Sequence, residues 1–166
     1  MTLRTAGPIE MFRDDTDRMD FCGRLARTIR RFGWTCRAFC LMTTHYHLLL
    51  DVADNRLQPG MHRLNGQYAQ EFNHRHGRSG HLHGDRYASE LVQTDGHMLR
   101  AFRYIVRNPV RAGLCDNPAD WLWSSYRGTA GLDGAFAFVD DRPIRAYFGR
   151  DAEDAIRVLR GFVEDP

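Results

Sequence analysis

The sequence predicts an α+β fold of the ferredoxin-like, split βαβ type, with an antiparallel sheet that carries helices on one face. Two observations lead to this class. Apolar residues recur at helical spacing in some segments and fill short β-branched or aromatic runs in others. The segments follow each other as strand, helix, strand, strand, helix, strand, helix, and the first six make the ferredoxin-like arrangement. A third helix and a C-terminal helical tail complete the chain.

The first half of the chain predicts a helix and a hairpin. Residues 13–32 have apolar positions at helical spacing, aspartates in the first turns, arginines in the last, and Gly33 as a stop. Residues 34–42 and 45–52 are typical of two strands, and Thr43-Thr44 is the tight turn between them. A short first strand is expected at residues 2–5.

The second half continues after Pro59-Gly60, which break the chain. The predicted elements are helix 61–76, a polar glycine-rich loop at 77–84, strand 86–92, helix 97–107 and a final helix at 152–163. Helix 97–107, the third helix of the chain, is halted by Asn108-Pro109, because proline cannot continue a helix.

Composition indicates one soluble domain. The chain has 166 residues, of which 43% are hydrophobic and 27% charged, so disorder is not expected. It shows no apolar stretch long enough to cross a bilayer and no secretory signal, so we expect a cytoplasmic protein. Residues 1–131 are predicted to form the functional domain, and 132–166 a tail packed on it. The four cysteines lack C-x-x-C spacing, which favours buried free thiols.

Arginine supplies all of the 23 lysine and arginine charges, although the net charge is only +2. The planar guanidinium suits bidentate contacts to phosphate. Since GC-rich genomes also favour arginine, the clustering of these residues is more informative than their number.

His45 and His47 are two residues apart on a predicted strand, so both imidazoles leave the same face. Such a pair can chelate a divalent metal ion. An isolated His-x-His also arises by chance on a polar sheet face.

Tyr104 and Asn108 are four residues apart on the third helix and share one face. The asparagine oxygen can be a third metal ligand, and the phenol can be a nucleophile toward a metal-polarised phosphate. The alternative is a half-buried tyrosine followed by an asparagine that only ends the helix.

A basic segment between residues 74 and 86 is the clearest candidate for binding nucleic acid. Its candidate contacts are Arg75, Arg78, His81, His83 and Arg86. Arg103, Arg107 and Arg111 flank the proposed nucleophile, and at least one is expected to contact the DNA strand. The alternative for the segment is an ordinary solvated loop.

Rival residues occur for both roles. His81 and His83 repeat the His-x-His pattern, but they lie in a glycine-rich loop, so we place them near DNA rather than metal. Tyr68 is the best rival nucleophile, yet the residue one turn later is Phe72, which favours a core position. Tyr87 and Tyr126 are also interpreted as packing residues.

Four motifs together resemble a known family. FCLMTTHYHLLL, LNGQYAQEFNHRHGRSGHLHGDRY, RYIVRNPVRAGL and DWLWSSYRGTAG are similar, in that order, to the REP-associated tyrosine transposases of the HUH single-tyrosine superfamily. The likeness covers about three-quarters of the chain, from Phe12 to Gly131. It implies a ferredoxin-like fold, a Mg²⁺ or Mn²⁺ cofactor, and cleavage and rejoining of single-stranded DNA at hairpin or palindromic elements.

The resemblance also implies residue roles. His45 and His47 match the metal histidines, Tyr104 the nucleophile that becomes linked to a 5′ phosphate, and Asn108 the remaining ligand. It implies single-stranded or hairpin DNA as the partner and a nucleoid-associated location. The sequence leaves the choice between monomer and homodimer open.

One departure concerns the first strand, which is usually longer in the family and carries a tyrosine-histidine-valine stretch. Here Met1 lies inside that strand, so we expect a less stable sheet. This keeps a second hypothesis open, a hairpin or single-stranded DNA-binding protein that no longer cuts. A third is a metal-dependent hydrolase that uses water, with Tyr104 as a bystander.

Overall fold

The computed structural model describes residues 9–53, 55–84 and 87–165, together with the backbone of residues 2–4. Its first six elements are β1 (Thr2–Arg4), α1 (Asp15–Phe32), β2 (Thr35–Leu41), β3 (His45–Asp51), α2 (Leu57–Arg75) and α3 (Asp95–Val106). There follow α4 (Asn108–Arg111), a 3-10 turn (Pro118–Asp120), α5 (Tyr126–Thr129), α6 (Arg142–Ala146) and α7 (Ala152–Glu164). The α+β class predicted from the sequence is confirmed.

The sheet has the strand order β1-β3-β2, and both neighbouring pairs are antiparallel. This is the order of a split βαβ unit, in which β3 lies between two strands joined by a helical crossover. Thr2 is opposite His47 and Arg4 is opposite His45, so β1 pairs with the first half of β3 only.

Helix α1 begins and ends where its sequence signals predict. The Asp14 side chain accepts a hydrogen bond from the Asp17 N–H, which satisfies one of the free donors at the helix start. Gly33 ends the helix with a left-handed φ of 67°. Phe21 and Leu25 lie on the buried face, with no exposed surface.

The predicted strand at 86–92 is wrong for the residues that the structure describes there. Residues 87–92 contain a single bridge position at Ala88 and no strand. In this topology a fourth strand would need β1 as its partner, and the described part of β1 pairs with β3 alone. Arg86 itself lies outside the described residues.

Both faces of the sheet are covered. On one face, α1 and α2 pack against a core that includes Phe39, Tyr46 and Leu48. On the other face, α3 packs together with residues of the C-terminal segments on Ala38 and Leu49. The sequence had left the cover of this second face undefined.

The C-terminal half also covers the free edge of β2. The Leu41 N–H donates to the Trp123 carbonyl (2.8 Å), and the Asp140 N–H donates to the Cys36 carbonyl (2.8 Å). Phe136 and Phe138 pack on Phe39, with ring centroids 4.8 and 5.3 Å away. An edge closed in this way cannot pair with another chain. The division of the chain at Gly131 stays a prediction.

Within the described part of the chain, no helix is long and apolar enough to span a membrane.

Gly60 on α2 gives a test of this packing. A Cβ at Gly60 would lie 2.1 Å from a ring atom of the buried Trp34, so Gly60→Ala forces the indole or the helix to move. We expect the free energy of unfolding to fall by about 1–3 kcal/mol, measured by urea denaturation.

Gly66→Ala is the matched control on the same helix, because a Cβ there meets nothing within 4 Å. It should raise the free energy of unfolding by about 0.5–1 kcal/mol, since alanine favours helix over glycine. Equal effects of the two substitutions would contradict the close approach of Trp34 to α2.

Candidate functional site

Two imidazoles stand side by side at the start of β3. The ring centroids of His45 and His47 are 5.0 Å apart, and the rings are nearly perpendicular. Tyr46, between them, lies on the opposite face and is fully buried in the α1–α2 core. The Thr44 hydroxyl lies 3.2 Å from His45 Nδ1, so it orients that ring.

Tyr104 on α3 adds its ring to this pair, and the three rings form one cluster. Its ring centroid is 5.5 Å from that of His47, again nearly edge-on. The neighbouring residues Phe102 and Ile105 are buried and hold α3 on the sheet. Tyr104 is 44% exposed, so a substrate can reach it from solvent.

Asn108 stands one helical turn after Tyr104. Its Nδ2 donates a hydrogen bond to the Tyr104 carbonyl over 2.8 Å. Because the amide nitrogen is used in this way, the carboxamide oxygen is the end left to act as a ligand. Asn108 begins the short helix α4, and the next residue, Pro109, is buried.

Arg111 covers the other side of the tyrosine. Its guanidinium carbon lies 5.0 Å from the centroid of the Tyr104 ring, which is within the range of a cation–π interaction. The arginine is exposed, so it places a positive charge beside the phenol at the solvent surface.

The donor set fits a divalent cation held by few protein ligands. Nowhere in the described ranges do three or more His, Cys, Asp or Glu side chains converge as metal ligands. A cation here would have two imidazoles, which are typical ligands of transition-metal ions, and an amide oxygen, which also suits Mg²⁺ or Mn²⁺. That leaves coordination positions for water or a phosphate oxygen.

A groove leads away from the site. It has a volume of about 1150 Å³, and His47 and Tyr104 contribute to its lining. Residues 48–52 of β3 and its continuation form one wall, and residues 88–95 with part of α3 form the other. The groove is apolar along β3, where Leu48 and Leu50 contribute.

A family model described as "Transposase IS200 like" matches residues 9–108 of the chain. The chain belongs to the IS200-like transposase family. The matched range includes the two imidazoles, Tyr104 and Asn108, and ends before Arg111 and the C-terminal segments. The resemblance seen in the sequence motifs is thus confirmed.

One solved structure has a similar fold and is titled "Structure of the REP associates tyrosine transposase bound to a REP hairpin". The similarity has a TM-score of 0.67 and covers 84% of this chain and 88% of that chain, at 16% sequence identity. No curated protein sequence matches this transposase significantly.

The DNA-binding residues predicted at the end of α2 and after it are not part of the ring cluster around Tyr104 in this transposase. Arg75 forms a bidentate pair with Asp14, in which the Nη2–oxygen distance is 2.6 Å, and also binds Asp17. This pairing lowers the pKa of Asp14 to about 2. Arg78 lies over the Phe72 ring, 5.9 Å from its centroid. Arg75 therefore joins α2 to α1, and this structural role does not depend on any contact with DNA.

The two histidines of the second His-x-His pair differ in their burial. His81 is exposed, whereas His83 Nε2 lies 3.3 Å from the Asn65 carbonyl, and burial lowers the pKa of His83. Leu82 between them is buried in the α1–α2 core. The pair thus lies on the face opposite α3. Arg86 is outside the described residues.

Arg103 and Arg107 point to α7. Arg103 Nε donates to the Phe162 carbonyl (2.7 Å), and Arg107 Nη1 donates to the Val163 carbonyl (3.0 Å). These contacts argue against the prediction that the two side chains hold DNA, whereas Arg111 remains beside Tyr104.

The rival nucleophiles of the transposase are buried. Tyr68 is 1% exposed and donates its hydroxyl to the Met11 carbonyl, and burial raises its pKa. Tyr126 is fully buried and donates to Glu164. Cys22 and Cys36 are also buried, which raises the pKa of each thiol to about 12. Tyr104 is the exposed hydroxyl that stands beside the imidazole pair.

Sequence reasoning missed the role of Asp17. Its carboxylate is 2% exposed and lies 2.9 Å from His76 Nε2, besides binding Arg75 and accepting the Arg13 N–H. The spacing along α1 gave no signal, because Asp17 resembles any acidic residue in a first helical turn. It ties the end of α2, where the basic segment begins, to the start of α1.

Asp17→Ala should lower the free energy of unfolding by about 3 kcal/mol, since it removes a buried carboxylate that accepts from the Arg75 guanidinium and the His76 imidazole. Urea denaturation at neutral pH measures the change. Asp154→Ala is the control, because Asp154 pairs with Arg157 where both side chains are mostly exposed. Its effect should stay below about 1 kcal/mol, and an equally small effect of Asp17→Ala would contradict the buried network.

Proposed function

We propose that this transposase cleaves and rejoins single-stranded DNA at hairpin or palindromic elements, with Tyr104 as the nucleophile. One observation carries the proposal. The ring centroid of His47 lies 5.0 Å from that of His45 and 5.5 Å from that of the exposed Tyr104, so the three rings form one cluster. A phosphate bound against this cluster would have a phenol and imidazoles close to it.

In the proposed reaction the Tyr104 hydroxyl oxygen forms a bond to phosphorus, and the bond from phosphorus to the 3′ oxygen breaks. The phenol loses its proton and the 3′ oxygen gains one. The products are a 5′-phosphotyrosine and a free 3′ hydroxyl. Because the new ester replaces the old one, a 3′ hydroxyl can attack it in the reverse direction and rejoin a strand without a nucleotide cofactor.

The residues around the phenol support this role. A tyrosine is a weak nucleophile until it loses its proton. The Arg111 guanidinium, 5.0 Å from the ring centroid, favours the negative charge that develops on the phenol oxygen. His47 packs edge-on against the ring and restricts its orientation.

Mg²⁺ or Mn²⁺ is the proposed cofactor, with His45, His47 and the Asn108 carboxamide oxygen as the ligands. Bound there, the cation would supply polarisation of the scissile phosphate and stabilisation of the leaving oxygen. The Asn108 amide nitrogen, bonded to the Tyr104 carbonyl, keeps ligand and nucleophile in a fixed relation.

Hairpin DNA is the proposed substrate. The solved relative of similar fold is titled as bound to a REP hairpin, and the family is one of transposases. In this chain the exposed Arg111 and His81, together with the half-buried Arg78, are the proposed contacts to the DNA backbone. Arg86 belongs to the same proposal from the sequence alone.

A second candidate is a DNA-binding protein that no longer cuts. It is favoured by the sheet, which among the described residues has three strands and no fourth strand at residues 87–92. A sheet with fewer strands would bind DNA while placing the imidazoles less firmly.

Tyr104→Phe separates these candidates. We expect the wild-type protein, incubated with a labelled pool of hairpin oligonucleotides and Mn²⁺, to form a covalent protein–DNA adduct on a denaturing gel. The phenylalanine variant should form none, because it lacks the attacking oxygen, and EDTA should abolish the wild-type adduct.

Tyr147→Phe is the matched control, since Tyr147 is 45% exposed and lies outside the site; its adduct should equal that of wild type. Hairpin binding with no adduct from wild type would favour the non-cutting protein. DNA cleavage that persists in Tyr104→Phe would sink the tyrosine mechanism and leave the hydrolase that uses water.

His45→Ala tests the metal ligands with a readout other than cleavage. We expect it to weaken Mn²⁺ binding at least about tenfold, because the site has so few protein ligands, measured by calorimetric titration. His81→Ala removes a comparable imidazole from the other His-x-His pair and should leave Mn²⁺ affinity unchanged. The opposite order of effects would assign the cation to the loop.

A further inference from the structure

We propose that α7 positions the nucleophile, and that Arg103 and Arg107 set the rotation of α3 that directs Tyr104 at the imidazole pair. This inference rests on the proposed function, since it gives the two arginines a positioning role in that reaction. It replaces the expectation that they touch DNA.

The contacts join α3 to the end of α7. Arg103 donates from Nε to the Phe162 carbonyl (2.7 Å) and from Nη2 to the Asp165 carbonyl (2.5 Å). Arg107 Nη1 donates to the carbonyls of Val163 (3.0 Å) and Asp165. The last carbonyls of a helix have no partner within it and carry partial negative charge, so two guanidinium groups suit this end.

The arginines and the site residues occupy adjacent faces of the helix, so the contacts of the arginines with α7 affect the orientation of the site. Arg103 and the residue after the end of α3, Arg107, lie one turn apart and are joined by a main-chain hydrogen bond. Tyr104 follows Arg103 and Asn108 follows Arg107, each about 100° further round the helix axis. Fixing the two arginines against α7 therefore fixes the direction of the residues that follow them. A rotation of α3 by ~10° would move the phenol oxygen by on the order of 1 Å, and such a displacement can cost ~100-fold in rate.

Apolar packing holds α7 in place on the same side. Leu159 and Val163 are fully buried in the cluster that also contains Phe102 and Val106 of α3. The Tyr126 hydroxyl donates to Glu164 over 2.6 Å. Helix α7 is thus anchored by side chains that belong neither to the site nor to the predicted DNA-binding residues.

The test compares chemistry with binding. The Arg103→Leu/Arg107→Leu protein is given a labelled hairpin that wild type cleaves, with Mn²⁺, and both the single-turnover rate of adduct formation and the Kd are measured over a range of salt. We expect the rate to fall at least about tenfold, while the Kd and its salt dependence stay within about twofold of wild type.

Arg157→Leu is the control, because it removes one arginine charge at an exposed position of α7, where the side chain pairs with Asp154; its rate and Kd should not change. Tyr126→Phe loosens α7 without altering any charge, and it should slow adduct formation in the same direction. Retained hairpin binding by these variants also shows that they are folded.

Lysine variants give a second distinction. A lysine at position 103 keeps the charge but cannot donate to two carbonyls as the guanidinium does. Arg103→Lys should therefore form the adduct at a rate closer to that of Arg103→Leu than to that of wild type. If Arg103 only contacted a phosphate, the lysine would restore the rate.

Other outcomes overturn the proposal. A weaker Kd with a smaller salt dependence in the leucine variant would make the arginines DNA contacts. A faster adduct would make α7 a brake, and an unchanged rate would leave it without influence on Tyr104. Absence of any adduct from wild type is the separate failure of the proposed function, and it would remove the basis of this inference too.

Discussion

The alternation of β3 is the constraint on which the rest depends. One face of the strand must supply Tyr46 and Leu48 to the α1–α2 core, where both are fully buried. The same register then presents His45 and His47 to the opposite side. A shift by one residue would bury the imidazoles among aromatic rings and expose the core, so the stability of the core and the placement of the site are set by the same strand register.

The sequence predicted the parts that depend on local pattern. The helix at 13–32, the hairpin that carries the histidines, and the pairing of Tyr104 with Asn108 on one helix all follow from periodicity and stop signals. The contact of Tyr104 with His47 needs the packing of α3 on the sheet, and only the family resemblance anticipated it. No strand forms among residues 87–92, because a strand needs a hydrogen-bonded partner and the local pattern does not show whether one lies beside it.

Charged residues were the least predictable. A basic cluster indicates nucleic acid, yet Arg75 is paired with Asp14 and Asp17, and Arg103 and Arg107 bind main-chain carbonyls. Whether a guanidinium faces solvent or another part of the protein depends on contacts between residues about 60 positions apart. Of the arginines beside the nucleophile, Arg111 stands over the phenol ring, and the other two face inward.

The attachment of α3 to α7 has a consequence for how this protein varies among its relatives. The acceptors at Phe162, Val163 and Asp165 are all backbone carbonyls, and every amino acid carries one. Substitutions along the last turn of α7 can therefore accumulate without loss of the contact, provided that the turn stays helical. The family match ends at Asn108, so it includes the two arginines but not the carbonyls of α7 that accept their hydrogen bonds.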